Sequence, residues 1–250
     1  MGLEARLTTP TAGWVLSLYP QAAEAGGCFL GSRRAPRRWT AAGDAADPAR
    51  AREEAARRAR AKVRRYCAAN RLNKLSTLTY AGEGCHDPHS LRRDVGEFFR
   101  ALRDDLGRGA LPYLWVPEWH KKGHGLHAHF GVARYIPHKL IVRAWGRGFV
   151  SIKPLNDVGV GTGTLGEARQ AARYLSKYVT KDFDARRMPG LHRYEVAKGF
   201  QPEEIGLRGR SEEDVLDQAC AVMGGMPVQR WSSADREDWQ GPPAVWVSWA

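Results

Sequence analysis

From Asp47 onward the spacing of apolar positions switches repeatedly between a helical and a strand period, and the switches mark out the elements. "DPARAREEAARRARAKVRRYCAANRL", from Asp47, offers a capping aspartate, a proline at the first helical position and strong helix formers throughout, which predicts a helix. "KLSTLTYAG" then alternates as a strand does, with Leu75, Thr77 and Thr79 on one face and Ser76, Leu78 and Tyr80 on the other. After "EGCHDPHS", read as a loop, "LRRDVGEFFRALRDDLG" puts Leu91, Val95, Phe98, Phe99 and Leu102 on one helical stripe. "LPYLWVPEWH" and "LHAHFGVARY" read as the strands of a hairpin joined by "KKGHG". A short helix at "HKLIVRAWG", a strand "FVSIKPL", a glycine-rich loop "VGVGTGTLG" and a helix "EARQAARYLSKYVTKDF" follow. Strand, helix, hairpin, helix, strand, helix describes an α+β domain with an antiparallel sheet. Residues 1–45 are glycine-rich with little periodicity, and beyond about residue 200 the pattern weakens. The predicted division is a basic arm and helix over 1–70, a central domain over 71–200 and an acidic, tryptophan-bearing extension over 201–250.

Charge adds a partner to this outline. The chain's net charge of +12 points to a polyanion. It is concentrated between Arg33 and Arg65, where twelve basic residues stand against four acidic ones, whereas 202–250 carries nine acidic and four basic. Arg57, Arg58, Arg60, Lys62, Arg64 and Arg65 on the predicted helix are therefore candidate phosphate contacts. The four cysteines form no CxxC pair, which argues against a disulfide framework or a zinc finger. No apolar run reaches membrane-spanning length and no secretory leader is visible at the start, so the expectation is a soluble protein of a reducing cytoplasm without membrane partners.

Candidate chemistry lies in two places. In "HKKGHGLHAHFGV" the strand period sends His127 and His129 to one face and Ala128 and Phe130 to the other, so two imidazoles point at one region of space. Glu118 and His120 share a face on the preceding strand, and hairpin pairing can bring either opposite the histidines. Two nitrogens and a carboxylate suit Mn²⁺ or Mg²⁺ with substrate bound, while Zn²⁺ and Co²⁺ also accept imidazole. His124 is read as part of the turn.

The second place is "YLSKYVTK". Tyr174, Lys177, Tyr178 and Lys181 recur at helical spacing, so hydroxyls and ammoniums share one stripe while Ala171, Ala172, Leu175 and Val179 supply the apolar contacts. A phenol with a pKa of about 10 is roughly one part in a thousand ionised at neutral pH, and the neighbouring lysines are expected to favour the phenolate. A tyrosine nucleophile beside a divalent cation implies covalent phosphoryl transfer.

"LSTLTY" (75–80), "HAH" within "GLHAHFGV" (125–132) and "YLSKYVTK" (174–181), in that order, resemble the three motifs of the HUH endonucleases, the rolling-circle replication initiators of plasmids and single-stranded DNA phages. The resemblance spans about residues 70–185. It implies an RRM-like, ferredoxin-like antiparallel sheet flanked by helices, with the histidines on a central strand. It also implies metal-dependent nicking of single-stranded origin DNA in a bacterial cytoplasm, leaving a 5′-phosphotyrosine link and a free 3′-hydroxyl. His127 and His129 match the metal-binding histidines, and Glu118 looks like the carboxylate of the neighbouring strand. Tyr174 and Tyr178 look like a nucleophile pair: "YVTK" favours Tyr178, while "YLSK" gives Tyr174 its own lysine. Thr77 and Thr79 of the first motif are expected near DNA. No GxxxxGK[ST] loop is visible, so a host helicase is the implied partner.

A conjugative relaxase or single-strand transposase would share this chemistry. A non-catalytic module binding single strands by stacking and charge would use the same sheet, and a water-activating metal hydrolase would need the histidines but neither tyrosine. "CHDPH" (85–89) has the flavour of a zinc half-site without a second half, and is read as a polar loop.

Overall fold

The computed structural model describes residues 12–31, 44–121, 123–153, 164–181 and 192–250, excluding the side chains of Thr180 and Lys181. The chain falls into two compact units, one of residues 46–202 and one combining 1–45 with 203–250. Both are antiparallel five-stranded sheets with helices, so the chain is α+β as expected.

Strands β1 (Gly13–Tyr19) and β2 (Glu24–Leu30) belong to the smaller unit. In the larger unit the elements run α1 (Pro48–Ala69), β3 (Lys74–Tyr80), α2 (Pro88–Asp105), β4 (Tyr113–Trp119), β5 (Leu126–Val132), α3 (His138–Trp145), β6 (Gly148–Lys153), α4 (Leu165–Lys181) and the short β7 (Glu195–Val196). The strand order β6-β3-β5-β4-β7 places the histidine strand β5 at the centre. From β3 to β6 the connectivity is β-α-β-β-α-β, the ferredoxin-like arrangement.

Asp47 caps α1 through its carboxylate, which accepts the amide of Arg50, and Pro48 takes the first helical position. The same Asp-Pro device starts α2 three residues before the expected Leu91. The Asp87 carboxylate accepts the amides of His89 and Ser90, so "CHDPH" is a helix start. The full α2 stripe, Leu91, Val95, Phe98, Phe99 and Leu102, is buried against Trp115, Ala128, Phe130 and Val132. Each such side chain contributes about 1.5–3 kcal/mol of gross burial energy.

On the opposite sheet face, Val63, Tyr66 and Cys67 of α1 and Ala171, Ala172, Leu175 and Val179 of α4 pack with Leu75, Leu114 and Val116. α1 therefore belongs with the central sheet, not with an N-terminal arm ending at residue 70. The close seat of α4 depends on Gly131, whose missing Cβ would lie 3.3 Å from Leu175 Cδ1 and 3.4 Å from Leu75 Cδ2. Pro117 is tolerated in β4 because β7 pairs only with Leu114 and Trp115, leaving Pro117 unpaired on that side.

The other unit corrects the expected boundaries further. β8 (Ile205–Gly209), α5 (Glu212–Met223), β9 (Gln229–Ser232) and β10 (Ala244–Ser248) join β1 and β2 in the order β8-β1-β2-β10-β9. Residues 13–30 and 205–248 thus contribute strands to one sheet, where a separate arm and extension were expected. Trp14, Leu16 and Leu18 alternate inward on β1, and Ser211 caps α5 by accepting the Asp214 amide. Among the described residues no helix is long and apolar enough to cross a membrane.

Gly131→Val should destabilise the larger unit by about 1–3 kcal/mol, the usual cost of overpacking. Urea unfolding followed by tryptophan fluorescence would measure it; an unchanged midpoint would show that α4 does not depend on this close approach.

Candidate metal centre and tyrosine helix

The hairpin between β4 and β5 sets the register of the site. The His120 amide donates to Gly125 O at 2.8 Å, and Gly125 (φ 81°) lies against Cys85, whose carbonyl accepts the Leu126 amide. A Cβ on Gly125 would sit 2.3 Å from Cys85 O, so only glycine fits there. With the tip fixed, Glu118 pairs directly with His127.

Of Glu118 and His120, this register brings Glu118 against the histidines. Glu118 Oε2 lies 3.1 Å from His127 Nε2 and 2.6 Å from His129 Nε2, and one ligand atom from each of the three falls within 4.8 Å of the others. Glu118 is 7% exposed and His129 6%. A carboxylate removed from water in this way needs compensation, which two imidazoles or a cation can give. The donor set fits a divalent ion: two neutral nitrogens, one anionic oxygen and a hydrogen bond behind the ring. That last contact is Thr77 Oγ1 to His129 Nδ1 at 2.9 Å, which suits Nδ1–H and leaves Nε2 as the ligand atom. Among the described residues no other cluster of three or more His, Cys, Asp and Glu side chains offers such a set. His120 stands outside it, its ring 5.4 Å from that of His127, and His124 Nε2 bonds to Tyr80 O.

α4 brings the tyrosines to this centre. With Leu175 seated over Gly131, Tyr178 stacks on His129 at 3.8 Å between ring centroids and 17° between planes. Tyr174 meets the same imidazole edge-on at 6.3 Å. The Tyr178 hydroxyl donates to that of Tyr174 at 2.8 Å. The electrostatics reverse the expectation of a lysine-favoured phenolate. Burial, then the hydrogen bond to Tyr174 and its charge, then the Glu118 carboxylate all push the Tyr178 phenol above its ordinary range. Lys177 is exposed, with Nζ 6.0 Å over the Tyr174 ring. The Lys181 side chain lies outside the described residues.

The remaining candidates are more dispersed. Arg57, Arg58, Arg60 and Lys62 are exposed on α1, with Arg58 3.6 Å from Glu54, while Arg64 and Arg65 are half-buried. Thr77 is turned to His129, and Thr79 is half-buried one strand from His127. One basic residue escaped the sequence reading: Lys153 of β6, with Nζ 5.9 Å over the Tyr174 ring. Its only signal would have been the pairing of β6 with β3, which no local pattern carries.

Thr77→Val, nearly isosteric but unable to accept from Nδ1–H, should weaken Mn²⁺ binding about 10- to 100-fold by isothermal titration. His129→Ala should abolish it. A Thr77→Val affinity equal to wild type would mean that the hydroxyl does not orient the ring.

No curated protein and no solved structure matches the chain. A family model does: residues 73–183, from the start of the β3 strand past the end of α4, match Replication-associated protein ORF2/G2P. The match covers the threonine strand, the Glu118, His127 and His129 cluster and both tyrosines, and is consistent with a rolling-circle replication protein. Over residues 73–183 the chain is similar to the replication-associated protein ORF2/G2P family.

Proposed function

We propose that the larger unit nicks and rejoins single-stranded origin DNA by tyrosine attack during rolling-circle replication, in the manner of the HUH endonucleases. The observation that carries this reading is the stacking of Tyr178 on His129, a member of the Glu118, His127 and His129 cluster. A water-activating hydrolase gives no reason for two phenols, hydrogen-bonded to each other, to lie on the metal-ligand candidates.

In this reading Glu118, His127 and His129 hold Mn²⁺ or Mg²⁺, which polarises and orients the scissile phosphate when bound. The Tyr178 oxygen attacks phosphorus, a phosphotyrosine bond forms, and the bond to the 3′-oxygen breaks. The phenol proton passes to the Tyr174 hydroxyl, which releases its own proton to solvent, and the departing 3′-oxygen takes a proton from solvent. No water is consumed, so the phosphotyrosine keeps the bond energy and the reverse attack reseals the strand. Tyr174, 5.3 Å away centroid to centroid, is placed to serve as a second nucleophile. Lys177 and Lys181 supply positive charge on the same helix, and the exposed Arg57, Arg58, Arg60 and Lys62, with Arg64 and Arg65, hold phosphates of the flanking strand. Strand separation falls to a separate helicase.

The test is a denaturing gel for a covalent protein–DNA adduct on labelled single strands with Mn²⁺. Wild type should form the adduct, and EDTA or the Tyr174→Phe/Tyr178→Phe double variant should abolish it. Tyr178→Phe alone should lose most of the first cleavage and Tyr174→Phe less. The wild-type rate should climb with pH through and above neutrality, because the phenol is held protonated. Cleavage without an adduct, or an adduct formed by the double variant, would refute tyrosine attack.

A further inference from the structure

Among the described residues of the larger unit, the helix pair α1 and α4 seats on β4, β5 and Leu75 of β3, and leaves one strip of the same sheet face exposed. That strip is β6, the edge strand. Its inner neighbour β3 pairs with it in the register Thr79 to Phe149, Thr77 to Ser151 and Leu75 to Lys153. Thr77 also pairs with His129, so Phe149, Ser151 and Lys153 point to the same side of the sheet as the metal-ligand candidates. One step beyond the Leu78–Ala128 pair, Thr79 stands level with His127, and His127 with Glu118. Phe149 therefore ends the cross-strand row formed by Glu118, His127 and Thr79.

Phe149 is 69% exposed. On the other sheet face of β6, Val150 packs against the core beside α3 while Ile152 is 52% exposed; Phe149 stands on the opposite side, in the row of Thr79, His127 and Glu118. Ser151 and Lys153 are exposed as well. Lys153 reaches over Tyr174, so the strip joins an exposed aromatic at one end to a cation beside the tyrosines at the other. At about 3.3 Å per residue, that separation is about 13 Å along the strand. Base-stacking aromatics alternating with cations are how sequence-tolerant single-strand sites are built.

We infer that the site face of β6 is a track for single-stranded DNA, on which Phe149 stacks a base flanking the scissile position and Lys153 pairs with a backbone phosphate. This inference rests on the proposed action on single strands, but binding and cleavage can be scored apart. The strip is an edge of apolar and cationic residues in one line, which favours a base and phosphate over an apolar protein partner.

The experiment is fluorescence anisotropy of a labelled oligothymidylate of about 20 nucleotides with the full chain in EDTA, so that cleavage plays no part. Phe149→Ala should weaken binding by about 5- to 150-fold, Phe149→Trp should restore it, and the salt dependence should stay that of wild type. Lys153→Ala should instead flatten the log–log salt slope by about 0.7, the share of one phosphate on a single strand. Tyr135→Ala, which removes an aromatic 73% exposed but outside this row, should leave affinity unchanged. A Phe149→Ala protein that binds as wild type overturns the track and leaves β6 to a protein contact, even if adducts form. Equal losses for Phe149→Ala and Tyr135→Ala overturn it too, since any exposed aromatic would then do. The pattern above in a protein that forms no adduct would uphold the track and refute only the nicking.

Discussion

The carboxylate of Glu118, buried between two imidazoles, is the constraint to which the rest of the larger unit answers. Both histidine nitrogens approach the same oxygen, at 3.1 and 2.6 Å, in a place nearly closed to water. A lone ionised carboxylate there would be costly, so strand register, ring orientation and hairpin tip must agree on one arrangement. A slip of one residue between β4 and β5 would turn Glu118 to the opposite face, among Phe130 and the α2 side chains. The tight contact of Gly125 with Cys85 works against that slip by fixing the start of β5.

From this centre the effect spreads outward through packing. Gly131, two residues after His129 on the same face, admits Leu175, and one helical turn later Tyr178 meets the His129 ring. A larger residue at 131 would lift the helix and the phenol with it. Close seating has an electrostatic consequence: Tyr178 loses water and feels the Glu118 charge, so its phenol is a weaker acid than a free tyrosine. A cation among the three ligands would offset the Glu118 contribution.

The sheet also places the buried cluster beside a more exposed part of the same face. Among the described residues, α2 and α3 cover one face except at Ile152 of β6, and α1 and α4 cover the other over β4, β5 and Leu75 of β3. The histidine strand lies at the border between the covered and open parts of that second face. Glu118 and His129 are shielded there, while β6, on the far side of β3, is exposed.

Much of this was legible in the residues themselves. The Asp47-Pro48 cap, the α2 stripe, the shared face of His127 and His129 and the one-sided tyrosine stripe all arise from neighbours within about four positions, where backbone geometry alone decides what shares a face. The same reading missed Asp87-Pro88, although the signal equals that at Asp47, and it missed β1, whose "WVLSLY" alternates but whose partner β2 is interrupted by Gly26 and Gly27. Other features had no local trace. That Glu118 and not His120 joins the histidines, that Thr77 turns to His129 Nδ1, that Phe149 and Lys153 share the site face, and that both chain ends build one sheet depend on register between segments far apart in sequence. So does the raised phenol of Tyr178, because desolvation is a property of what surrounds a group in space. Periodicity determined which side chains could act together; only the paired and packed chain decided which of them meet.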